Sequence, residues 1–133
     1  MATAAAEALP PEVGSELRTR YRQLRVMLHA AGLAATYAFI VSKAKDTDPL
    51  AGPGQQDKLA AAYQTAGEAI RRRLLTRKMF PGGAEPASVR EVLAALGRMN
   101  QVEYARASAE AAALVGWLSR LADAVYVPKD GNA

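Results

Sequence analysis

The sequence predicts an all-α, single-domain helical bundle of about five to six helices. Three observations predict it. Alanine- and leucine-rich segments carry apolar residues at helical spacing, and no stretch shows the alternation of a half-buried strand. The strong breakers, Pro10-Pro11, "DTDPLAGPG" at 46–54 and "PGGAEPAS" at 81–88, cut the chain into helix-length pieces. A chain of 133 residues can bury a core as one domain without metals or cross-links. The ordered core is expected over about 12–126, between short flexible tails.

The first helix is expected over 12–29. Val13, Leu17, Tyr21, Leu24 and Leu28 form one apolar stripe there, and Arg18, Arg22, Arg25 and His29 fall on a row beside it. Gly32 breaks or bends the chain. From Leu33, the residues Leu33, Tyr37, Ile40, Val41 and Ala44 make a stripe while Phe39 projects from the opposite side, the pattern of a central helix touched on several faces. "TYAFIV" (36–41) reads as a strand in isolation, but its surroundings favour helix. Between about 57 and 78 the stripe Leu59, Tyr63, Ala66, Ile70, Leu74 runs on into Arg73 and Arg77, which a core does not accept unpaired. The end of this helix is therefore expected to leave the core, basic on most sides.

"SVREVLAALGR" (88–98) combines the capping-box spacing of Ser88 and Glu91 with Val89, Val92, Leu93 and Leu96 on one face. The last helix, about 100–126, carries two stripes. One is large (Leu114, Leu118, Leu121, Val125, flanked by Trp117). The other is small (Ala105, Ala109, Ala112, Gly116) and would let another helix, from another subunit, approach closely.

Composition excludes several function classes. There are no cysteines, so disulfides and thiolate metal sites are ruled out. The alanines of the N-terminus have no basic region before them and are interrupted by Glu7, so no signal peptide is expected. The uncharged run from His29 to Lys43 falls short of the roughly 20 apolar residues a bilayer requires. His29 is the only histidine, Glu-x-x-His pairs are lacking, and the glycines form no P-loop or dinucleotide fingerprint. No enzyme, metal or cofactor is expected.

Basic groups remain. The formal charge is +4, with pI near 9.6, carried mostly by arginine, whose forked guanidinium suits phosphate. Arg71, Arg72, Arg73, Arg77 and Lys78 follow one another with no acid among them, a local potential suited to a phosphate backbone. Each basic group also has a plainer reading. Lys43 and Lys45 can offset a helix dipole at its C-terminus, the Arg18/Arg22/Arg25 row can be a solvated face, and Glu68 can pair with Arg72 one turn on.

Two segments carry a family resemblance. "LHAAGLAATYAFIVSKAKD" (28–46) holds Gly32-Leu33, Thr36, Phe39-Ile40 and Ser42-Lys43, and "YARASAEAAALVGWLSRLADA" (104–124) holds Tyr104, Trp117-Leu118 and Arg120. In this order they resemble the signatures of the Cmr5 family, the small subunits of type III-B CRISPR–Cas (Cmr) effector complexes. The resemblance covers about 12–126. It departs in the middle helix, which reads "AGEAIRRRLL" where members often carry Trp-Leu.

The resemblance implies an all-helical, non-catalytic, cytoplasmic subunit that stacks in several copies beside a filament of backbone subunits. Its expected partners are crRNA and target RNA, other Cmr subunits and further copies of itself, with no membrane. A reader of a guide–target pair needs cations on a rigid face and no base readout, because pairing supplies the specificity. Lys43, Arg120 and the Arg71–Lys78 run are the first candidates for RNA contact, followed by Arg18, Arg22 and Arg25. Tyr37, Phe39 and Trp117 are assigned to the core. Two alternatives stay open: a helical adaptor or regulator using its basic face on DNA, and the small subunit of a related CRISPR effector complex.

Overall fold

A computed structural model describes residues 1–45 and 55–128, the side chains of 55–57 excepted. Among these residues there are six α-helices and no strand: α1 (Ala2–Ala8), α2 (Ser15–Ala31), α3 (Leu33–Ala44), α4 (Gln55–Thr76), α5 (Val89–Gly97) and α6 (Gln101–Val125), with a 3-10 turn at Pro81–Gly83. The breaker at 46–54 lies outside the described residues.

The α2 stripe is buried as its spacing predicts, with Tyr21, Leu24 and Leu28 inside the core. Gly32 ends α2 and starts α3 in one residue. Its φ of 91° lies in the left-handed region, and a Cβ there would come within 3.0 Å of the Tyr104 hydroxyl. That hydroxyl accepts the Ala34 N–H at 2.9 Å, which ties the α2–α3 junction to the start of α6.

Helix α3 is central, packing on α2, α4, α5 and α6. Leu33, Tyr37 and Ile40 are buried, and Phe39, on the other side, meets the Tyr63 ring edge-on at 6.1 Å. Thr36, also buried, donates its hydroxyl to the Gly32 carbonyl at 2.8 Å. Gly67 lets α4 come close, since a Cβ there would lie 3.2 Å from Ile40 Cγ2.

Four expectations are corrected. Residues 2–8, placed in a tail, form α1, which packs on α4 and α6 and buries Ala5 and Ala8. The end of α4 stays with the core, because Leu74 is fully buried and Phe80 follows it inside. The turn between them explains how: the Met79 N–H reaches the Leu74 carbonyl and the Lys78 N–H the Leu75 carbonyl, a Schellman motif with Lys78 in the left-handed conformation at φ 54°.

At α5, Ser88 Oγ accepts the Glu91 N–H at 3.2 Å, but the Glu91 carboxylate reaches the Ala87 N–H instead of closing the box. A complete capping box stands at the start of α6, between Asn100 and Glu103. Last, the core face of α6 is rotated from the predicted large stripe. It comprises Ala107, Ala111, Leu114, Val115, Leu118 and Ala122, while Val125 is exposed.

Candidate nucleic-acid interface

The antiparallel pair α2 and α6 brings the arginine row of α2 to Asp123, 101 residues on from Arg22. Near its start, α2 meets the end of α6: Arg18 Nε lies 3.2 Å from Asp123 Oδ1, and Arg22 donates to the same oxygen at 3.0 Å. Near its end, α2 meets the start of α6 through Tyr104. Arg25 continues the Arg18/Arg22 row along α2, one arginine per turn of about 5.4 Å, and His29 stands one turn further on.

On α6, Ala105 and Asp123 stand about five turns apart and share one azimuth, with Ala109, Ala112 and Gly116 between them. Because Asp123 faces Arg18 and Arg22 and the helices run antiparallel, the arginine row lies level with the C-terminal part of α6, while Ala105 and Ala109 lie past it, toward the end of α2. Ala105 and Ala109 are exposed, Ala112 and Gly116 are half-buried, and a Cβ on Gly116 would meet nothing within 4 Å. Arg18 also packs over the Tyr126 ring at 4.4 Å, so its side chain is held in place.

The Arg71–Lys78 run is organised differently. Arg71 Nε donates to Glu68 Oε2 at 2.9 Å, and another of its nitrogens donates to the Pro86 carbonyl at 3.0 Å, clamping α4 to the loop before α5. The hydrogen bond from Arg71 holds the Glu68 carboxyl below its ordinary pKa despite partial burial, with Arg72 adding to the effect, and Glu68 in turn raises Arg71. Arg72 donates to Glu68 at 3.1 Å, the plain surface pair its spacing suggests.

Arg73 donates to Glu110 of α6 at 2.6 Å, and Arg77 lies 3.8 Å from the same carboxylate. With side chains 22% and 14% exposed, Arg73 and Glu110 form an interhelical pair mostly withdrawn from solvent. Arg72, Arg77 and Lys78 are the exposed cations of this group.

Lys43 and Arg120 stand elsewhere. The Lys43 ammonium is 5.7 Å from the centre of the Phe39 ring, near the first half of α4 through the Phe39–Tyr63 contact. Arg120 is exposed and leans over the Trp117 ring at 5.7 Å. The predicted basic residues therefore occupy the α2–α6 pair, the end of α4 and the end of α3, with Arg120 on the outer side of α6. Two acids that decide their availability, Glu110 and Asp123, carry no sequence signal for that role. Their partners lie 37 and 101 residues away.

Among the described residues no helix is long and apolar enough to cross a membrane. A family model described as CRISPR-associated protein (Cas_Cmr5) matches residues 2–125. No curated protein and no solved structure matches the chain.

Proposed function

Because the chain belongs to the CRISPR-associated Cmr5 family, we propose that it is a non-catalytic small subunit of a type III-B RNA-guided interference complex. It stacks in several copies along the backbone subunits, in the cytoplasm, and touches the crRNA–target RNA strand through the α2–α6 pair. The observation that carries this assignment is the row of Arg18, Arg22 and Arg25 on α2, which shares only the exposed carboxylate of Asp123 among the described residues. Cations at one per helical turn on a rigid support suit successive phosphates. The exposed end of α4, with Arg72, Arg77 and Lys78, is a secondary contact.

Weak binding per copy suits an array, where neighbouring sites on one strand multiply. Filter binding with single-stranded RNA across a salt series tests the proposal. Replacing Arg22 and Arg25 together by Ala should weaken binding about tenfold and lower the salt slope by about 1.5. Replacing Arg72 and Lys78 should change both less. The assignment to α2–α6 is lost if the second pair has the larger effect. The RNA role itself is lost if neither pair changes binding, or if the protein prefers one duplex DNA sequence to RNA.

A further inference from the structure

Helix α1 is attached to the bundle in a way that permits exchange between copies. With the seven residues of "ATAAAEA", it is too short to be a stable helix alone. It exists because α4 and α6 receive it. What it buries is small: the methyl groups of Ala5 and Ala8, with Met1, Ala4 and Leu9 partly covered. Among the described residues, no side-chain hydrogen bond or ion pair ties α1 to either helix, and its N-cap, Met1, makes no capping bond. An open cleft of about 460 Å³ separates α1 from α4 along a polar edge that includes Gln64, Thr65 and Arg72, so the two helices are not packed flush there.

The connection to α2 is Leu9-Pro10-Pro11-Glu12-Val13-Gly14. Leu9 is extended, with φ −73° and ψ 138°. The two prolines fix their own φ and favour extension in the residues before them. When extended, residues 9–14 span about 20 Å. Val13 is buried and anchors the far end of this connection to the core.

We propose that α1 is an exchangeable arm, and that the α4–α6 surface beneath it takes α1 of a second copy of this chain. The occupant is specified by the molecule itself, since a second copy's α1 restores the same alanine contacts on the same surface. In a dilute monomer the tethered arm wins, because a short connection gives it an effective concentration in the millimolar range. Copies held side by side face each other at a similar local concentration. Closed and exchanged forms make the same contacts and are then nearly equal in energy, and the extended Pro-Pro connection holds the arm out where it can reach a neighbour. The exchange needs only protein, so its test is independent of any RNA role.

The chain lacks cysteine, which permits single-site labelling of the full-length protein. One preparation carries a donor dye at Thr3→Cys and another an acceptor at Gln64→Cys, both positions exposed. After mixing near millimolar concentration, a dimer fraction is isolated by size exclusion. Energy transfer between chains in that fraction should match the transfer within a doubly labelled monomer. A Pro10→Gly/Pro11→Gly variant should keep the monomer's helical circular dichroism and form several-fold less dimer. A chain lacking residues 1–8 should form at least tenfold less. The proposal is overturned if no dimer forms, if the dimer shows no interchain transfer, or if either altered chain dimerises as well as the parent.

Discussion

In α4, Arg71 and Arg73 turn to Glu68 and Glu110, and Arg77 stands within 4 Å of the second acid. In α2, Arg18 and Arg22 share the single carboxylate of Asp123, and Arg25 pairs with no acid among the described residues. Both regions are rich in arginine, yet the Arg73–Glu110 pair is largely buried while Arg22 and Asp123 are 53% and 42% exposed. Removing one partner of a buried pair strands a desolvated charge, whereas exposed pairs hold geometry at little energetic consequence. The dense run on α4 therefore acts mainly as a clamp between α4, α6 and the loop before α5. The sparser row on α2 remains available to a polyanion.

The largest test of this contrast is Glu110→Ala. It leaves Arg73 without its acid and should lower stability by about 2 to 3 kcal/mol, measured by urea unfolding. Asp123→Ala should cost no more than about 0.5 kcal/mol. Equal losses would erase the distinction between clamp and open row.

A second test concerns the turn that keeps the end of α4 on the core. Lys78 holds a left-handed conformation that glycine adopts freely, so Lys78→Gly should raise stability by about 1 kcal/mol in the same assay. A loss instead would mean that the lysine itself contributes to the turn. The third is Asp123→Asn, which removes the acid that Arg18 and Arg22 share, the one paired with the row among the described residues. RNA affinity should rise about threefold at low salt, and the gain should vanish at high salt.

The smallest expected effect is that of acid on the α4 clamp. Glu68 has a folded-state pKa below its ordinary value, so its contribution is present above the unfolded value near 4.5 and lost as pH falls through the lower, folded one. Its side chain is 42% exposed, and solvent screening limits the contribution to well under 1 kcal/mol. Comparing acid unfolding of the parent chain and Glu68→Gln should reveal a difference that is full above pH 4.5 and closes as the pH falls further.

Much of the architecture was legible in local pattern. Leu17, Tyr21, Leu24 and Leu28 recur at the helical period and are buried together, and Gly32 marks the break between α2 and α3, in a left-handed conformation that a residue free of a Cβ adopts easily. Helix α1 was missed because an alanine-rich heptamer before two prolines has no periodic apolar signal; its helicity comes from the surface that receives it. The Asn100–Glu103 box was missed although its spacing is readable, while the Ser88–Glu91 spacing yielded only half of a box.

The candidate site divides along the same line. The sequence by itself determined an all-helical bundle, the apolar stripes of α2 and α4, the positions of the cations, and the two segments that resemble the family. Local periodicity suffices for these, since side chains three and four residues apart share a helix face wherever the helix goes. Tertiary structure alone decided that Arg71 and Arg73 are clamps, that the end of α4 stays with the core, and that Asp123 of α6 meets the arginine row of α2. Charge availability depends on which carboxylates fold against a cation, and Glu110 and Asp123 reach theirs across 37 and 101 residues.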